Sequence, residues 1–366
     1  MMNHPLVKKE WKLLRWTMLL YGCIFTFFTL ILSDNMTRER TYHLLGERQE
    51  GIFISQLYMM NNLMVPVLLV TIMIVVAILF IHDKNNHIGK FINCLPYTRK
   101  QYFRIKYIMG MATFTVPLTF FGIALYIIRG SHLNWISRIY RYSPYEDLLK
   151  AQDGAGVLFM WLVFLWLMML STYSFLMMVQ TLMGQSIVAS IVGGTVCLVP
   201  LFLIYAIPAN LSLLGMRIVI YRRNLSRWIR LFLLGTPESE LIVRNSALGP
   251  ENFIDYYGRY FEVFNYQWFP LYMAILVGVI IISTLIGYYF TQIYDVEKNG
   301  EIALYSWVEK ILIIGVTVCS LLLLPILIRI LTGIQNSILT LMTMMIGGIL
   351  GYWISKKSIE LTTKHG

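Results

Sequence analysis

Residues 63–81 read LMVPVLLVTIMIVVAILFI, without one charged side chain. About 20 consecutive apolar residues cross the ~30 Å hydrocarbon core of a bilayer as an α-helix. Inside that core only helices and closed barrels satisfy their own backbone hydrogen bonds. A barrel strand alternates apolar and polar residues. This stretch does not alternate, so it reads as a membrane-spanning helix.

Working outward, seven further apolar blocks appear: Trp16–Leu32, Ile108–Ile128, Val157–Val179, Ile187–Pro208, Pro270–Phe290, Ile311–Ile328 and Ile338–Ile354. The last two are divided only by Thr332-Gly333-Ile334-Gln335-Asn336, a short turn. Composition agrees with the blocks. The 366 residues are 57% hydrophobic and 13% charged, where a soluble domain carries about a quarter charged residues. The expected fold class is all-α: one polytopic membrane domain over residues 1–366, with about eight transmembrane helices. Pro66, Pro117 and Pro200 lie in or near spans, where they kink or break helices. Gly347 with Gly351, and Gly193-Gly194, read as close helix-packing points.

The net charge is +11. In such a protein this reports anionic headgroups at the cytoplasmic face rather than nucleic acid. Basic residues cluster before the first block (Lys8, Lys9, Lys12, Arg15), in the second loop (Lys84, Lys90, Arg99, Lys100, Arg104, Lys106) and after the last block (Lys356, Lys357, Lys364). With eight spans all three fall on one side, so both termini are expected in the cytoplasm. Residues 210–269 then lie outside, despite seven arginines, because long segments translocate largely regardless of charge. Within them, 216–234 reads either as a basic surface helix or as a helical connector. No signal-peptide cleavage site follows the first block. Cys23, Cys94, Cys197 and Cys319 form neither a disulfide framework nor a zinc spacing.

Two extramembrane stretches carry patterns. In residues 1–15, Val7, Trp11 and Leu14 share one helical face and Lys8, Lys12 and Arg15 another, with Pro5 suited to the first turn. This predicts an amphipathic interfacial helix contacting lipid; the plainer alternative is a basic flank that orients the first span. In the loop of residues 84–107, Ile88, Phe91, Ile92 and Leu95 fall at i, i+3, i+4 and i+7, one apolar stripe on a short helix. Pro96 ends it. Thr98 and Gln101 form a capping box that starts the next helix. Such a stripe needs a partner, either lipid or a groove on another protein.

Leu95-Pro96-Tyr97-Thr98-Arg99-Lys100 resembles the signature after the second span of ABC-2-type transporter permeases, and residues 1–15 resemble that family's elbow helix. Glu297, Gly300 and Glu301, within Tyr294-Asp295-Val296-Glu297-Lys298-Asn299-Gly300-Glu301, are similar to a second segment of one bacterial branch, although Tyr294 stands where that branch carries arginine. The resemblance implies an ABC-2-type permease architecture. It implies that Ile88, Phe91, Ile92, Leu95 and Arg99 form a coupling helix for a separate ABC ATPase. It further implies ATP and magnesium on that partner, none on this chain, and a second permease copy or paralogue. The family core has six spans, two fewer than the blocks counted here.

Absences narrow the function. There is no Gly-x-x-x-x-Gly-Lys-Ser/Thr phosphate loop and no His-Glu-x-x-His zinc motif. His82, Asp83 and His87 read as a solvated helix end rather than a metal site. The spans read as almost free of ionisable residues, with Arg129 and Arg329 at their ends. This argues against an ion-coupled carrier and against a lipid-processing enzyme, which would need an acid, a base or a nucleophile. The expected protein is the non-catalytic permease subunit of an ATP-driven exporter. The alternative of a different class is a membrane sensor or accessory subunit that docks a cytoplasmic partner.

Overall fold

A computed structural model describes residues 5–44, 53–84, 98–142, 154–215, 239–241, 262–264, 269–293, 300–333 and 336–363. The helices among them are α1 (Pro5–Leu44), α2 (Phe53–Ile81), α3 (Arg99–Tyr142), α4 (Ala155–Leu182), α5 (Ser186–Leu213), α6 (Phe269–Gln292), α7 (Ser306–Thr332) and α8 (Ser337–Thr363). Each contains one of the eight apolar blocks. Strands β1 (Ser239–Leu241) and β2 (Glu262–Phe264) pair antiparallel between α5 and α6, with Glu240 opposite Val263. They are the only described part of the 216–268 range.

Among the described residues, seven helices are long and apolar enough to cross a membrane. The eighth, α5, is bent by 52° between Ser186–Pro200 and Phe202–Leu213. Proline removes a backbone donor and clashes with the carbonyl four residues back, which accounts for a bend at Pro200. Counted as one bent span, α5 completes the eight expected crossings.

The core lies among α1, α2, α3, α4 and α6. Its centre is aromatic. Phe25 of α1 stacks on Phe121 of α3 at 4.9 Å between centroids, and Tyr21 meets Phe114 edge-on at 6.2 Å. Phe114 also meets Tyr173 of α4 at 5.7 Å. Edge-to-face and offset rings of this kind add to simple area burial. Tyr173 fits because Gly110 leaves a notch in α3, where a Cβ would collide with its phenol. The Tyr173 hydroxyl donates to the carbonyls of Lys106 (3.1 Å) and Tyr107 (3.3 Å).

Small residues set the remaining contacts. Gly194 of α5 lies against Met73 of α2, and Gly193 against Leu176 of α4. Gly347 and Gly351 of α8 bring it onto Ser320 of α7, so that α7 and α8 form an intimate pair. Their turn closes on Gly333, at φ +68°, whose N–H donates to the Arg329 carbonyl at 2.8 Å. That left-handed residue is a helix C-cap that glycine adopts without steric cost, and it confirms the division within Thr332–Asn336. The pair joins the bundle through Asn210 of α5, which donates to the Leu322 carbonyl at 2.9 Å.

The first helix departs from expectation. Residues 5–15 are the opening turns of one uninterrupted helix, α1, rather than a separate element. Val7, Trp11 and Leu14 also do not share one environment: Trp11 is 48% exposed, while Leu14 is fully buried in the bundle. The reason is Glu10, on the same turns, which is held inward by α3 as described next. Lys8, Lys12 and Arg15 are exposed, as their pattern predicts.

Candidate functional site

Long-range polar contacts gather at one end of the bundle. The end of α2 supplies Phe80, Asp83 and Lys84, α1 supplies Lys9 and Glu10, and α3 supplies Tyr102 and Lys106. Lys106 is 1% exposed. Its ammonium donates to the Leu79 carbonyl and pairs with Asp83. It lies 3.8 Å from Glu10, and the rings of Phe80 (4.6 Å) and Tyr102 (5.0 Å) cover it. Asp83 also faces Lys9 at 3.8 Å. A cation buried this deeply is tolerated only with such partners.

Lys84 points the other way, into the turn between α4 and α5. Its ammonium donates to the Gln180 carbonyl (2.6 Å), the Gln180 side-chain oxygen (2.6 Å) and the Met183 carbonyl (2.7 Å). The last carbonyls of a helix lack intrahelical partners and carry partial negative charge, so a cation suits them. Burial pushes the Lys84 pKa well below its ordinary value, and Asp83 opposes that push. The Gln180 amide then donates to Ser186 O and Ser190 Oγ, both at 2.8 Å. Ser186 Oγ donates to the Ala77 carbonyl at 2.7 Å, which closes the ring back onto α2.

The opposite flank of the same turn holds residues 300–304, just before α7. Gly300 N–H donates to the Gly184 carbonyl at 3.3 Å, and Leu304 N–H to the Leu182 carbonyl at 3.1 Å. The Gln185 amide donates to the Gly300 carbonyl. Gly300 sits at φ +102°, a conformation glycine reaches readily and other residues rarely. Gly300 and Glu301, singled out from the sequence, therefore lie beside the α4–α5 turn. Glu297 lies outside the described residues.

The capping box exists as predicted. Gln101 N–H donates to Thr98 Oγ1 and Thr98 N–H to Gln101 Oε1, each at 3.3 Å, and α3 begins between them at Arg99. Arg99 donates to the Gln292 carbonyl at the end of α6 at 3.0 Å. Ile88, Phe91, Ile92 and Leu95 lie outside the described residues, but both flanks of their loop are anchored: Lys84 into the α4–α5 turn, Arg99 onto α6.

Several readings change here. Lys84 and Lys106, expected among the basic residues at the headgroup face, are instead buried and bonded within the bundle. Asp83 belongs to that ion cluster rather than to a solvated helix end, although His82 beside it is exposed. Among the described residues no group of three or more His, Cys, Asp or Glu side chains is placed to hold a metal ion. Sequence reasoning missed Glu10 as a member of this cluster. The available signal was its isolation: Glu10 is the single acid before Asp34, and Asp83 the single acid between residues 82 and 106. An acid alone among basic flanks has partners within reach.

Eight apolar helices with this ion-paired end define a multi-pass α-helical membrane protein. Residues 50–140 match the family model described as ABC-2 family transporter protein. The match spans α2, the anchored loop and almost all of α3, and with the apolar helices it supports an ABC-2-type permease with a transport role. No curated protein and no solved structure matches the chain.

Proposed function

We propose that this chain is the membrane-spanning permease subunit of an ATP-driven exporter, powered by a separate ABC ATPase and paired with a second permease copy or paralogue. ATP and magnesium belong to the partner. The ion-paired end faces the cytoplasm, and both termini lie there, in a bacterial cell membrane. The observation that carries this reading is the anchoring of the 85–97 loop. Lys84 ties its start to the α4–α5 turn, Arg99 ties its end to α6, and Gly300 brings a second loop onto the same turn. A push on a loop held in this way reaches α2, α3, α4, α5 and α6 at once. That is what a bundle driven from outside the membrane requires.

The experiment is co-purification of the ATPase and turnover of the reconstituted complex. Burying a phenylalanine is worth about 1.5–3 kcal/mol, roughly ten- to hundredfold in affinity. Phe91→Ala weakens ATPase association by that factor, and Phe91→Glu abolishes it, because a charge would enter a closed groove. Full ATPase binding and turnover by Phe91→Glu would remove the loop from coupling. Absence of any ATPase with the unmodified protein would favour the sensor or accessory subunit. A cysteine at position 100 should label from the cytoplasm and one at 251 only from outside; labelling of 251 from the cytoplasm would overturn the orientation.

A further inference from the structure

A groove of about 860 Å³ runs along the outer side of the bundle between α1 and α3. Its floor and walls are apolar or small: Gly22, Phe25 and Leu19 from α1, and Pro117, Phe120 and Ala124 from α3. Trp11, Arg15 and Trp16 stand at one end. Along α1 the groove extends from Arg15 to Thr29, about 21 Å at 1.5 Å per residue. Half of a ~30 Å hydrocarbon core is about 15 Å, so the groove reaches from the headgroup level through one leaflet.

The ends differ in chemistry. At the ion-paired end of the bundle Arg15 is exposed, with its guanidinium 5.4 Å over the Trp16 ring. Trp11 and Trp16 are 48% and 64% exposed, and indoles at this height mark the membrane interface. Arginine is suited to bidentate contact with a phosphate. Below it, the groove is open at Gly22, where a Cβ would meet nothing within 4 Å. A cation at interface depth above an apolar trench one leaflet deep is complementary to a molecule with a phosphate head and a hydrocarbon tail.

We propose that the α1–α3 groove is a binding site for one anionic phospholipid, its phosphate on Arg15 and one acyl chain against Gly22, Phe25 and Phe120. This goes beyond the exporter reading and does not depend on it.

The test is native mass spectrometry of the full chain, purified in detergent and titrated with phosphatidylglycerol or with phosphatidylcholine of matched acyl chains. The unmodified protein should retain one phosphatidylglycerol more strongly than one phosphatidylcholine. Arg15→Gln should cut that headgroup preference about fivefold, the effect of roughly 1 kcal/mol per basic residue at an anionic surface. Gly22→Phe should fill the trench and release both lipids. Ala124→Leu fills it from the opposite wall and keeps the test decisive if Gly22→Phe does not fold. Lipid retention unchanged in a folded groove-filling variant would overturn the site, as would equal affinity for the two lipids. Conversion of a dimer to a monomer by these variants, without change in bound lipid, would instead assign the groove to a second copy of the chain.

Discussion

Two junctions in this bundle join neighbouring spans by opposite means. Between α7 and α8 the connection is a short turn. The helices meet so closely that a Cβ on Gly347 would lie 2.6 Å from the Ser320 carbonyl oxygen. Between α2 and α3 the connection is longer, and the two helices touch little along their length. There the joint is electrostatic: Lys106 ties α3 to α2 and α1, and Lys84 ties α2 to the α4–α5 turn. Small-residue packing fixes two helices against each other and nothing else. A buried ion cluster fixes several helices through one point, and it fails if one member is lost. The α7–α8 pair is thus held along its own length, whereas the ends of α2 and α3 are held by residues of several helices at once.

The largest expected effect comes from the ionic joint. Lys106→Met leaves Glu10 and Asp83 buried without their shared cation, and breaking a buried pair from one side costs about 3–5 kcal/mol. The yield of folded protein and its thermal midpoint in detergent should both fall sharply. Adding Glu10→Gln and Asp83→Asn removes the uncompensated charge, and the triple variant should recover much of the loss. Failure to recover would mean that the shape of Lys106 over Phe80 and Tyr102, and not its charge, is what matters.

The packing joint should respond less. Gly351→Leu places a side chain where Ser320 Cβ lies 2.7 Å away and the Thr317 Cα 3.2 Å away, so α7 and α8 must separate. Overpacking of this kind costs about 1–3 kcal/mol. Because the pair meets the bundle chiefly at α5, the separation should stay local. A cysteine crosslink between α7 and α8 should weaken, while one between α1 and α3 should form as before. Loss of both crosslinks would make the hairpin part of the core and erase the contrast.

The two joints were not equally legible in the sequence. Gly347 and Gly351 announce close approach by spacing alone, since glycines four apart share a helix face. Gly333 in Thr332–Asn336 announces a C-cap. Thr98 and Gln101 announce the start of α3, because capping is local chemistry. The ionic joint joins residues 10, 83 and 106, and 84 with 180, and no periodicity links positions so far apart. Its lysines sit where membrane flanks normally hold solvated cations, so the statistical reading of a basic loop concealed two buried ones. The bend in α5 was foreseeable at Pro200, but its 52° magnitude is set by packing. Similarly, Trp11 and Leu14 share a helical face, and only the position of α3 decides that one meets lipid and the other the core.

The smallest expected effect sharpens the comparison most, because it lies on the boundary of the ionic joint. Thr98→Ala removes the hydroxyl that accepts from Gln101 N–H, and Gln101 then has no reason to reach back to Thr98 N–H. Both bonds are exposed, so water replaces part of what is lost, and a missing cap costs about 1 kcal/mol. The effect should remain in the first turn of α3. Two turns further on, Lys106 is locked to Leu79 and Asp83, and Tyr173 holds the Lys106 and Tyr107 carbonyls. Fraying cannot pass that point without breaking the cluster. Hydrogen exchange should therefore quicken about fivefold at residues 101–103, remain unchanged beyond Lys106, and leave the thermal midpoint nearly where it was. A drop in the midpoint comparable to that of Lys106→Met would show that the cap, rather than the ion cluster, secures α3. The loop would then be held from its own end and not through the shared point on α1, α2 and α3.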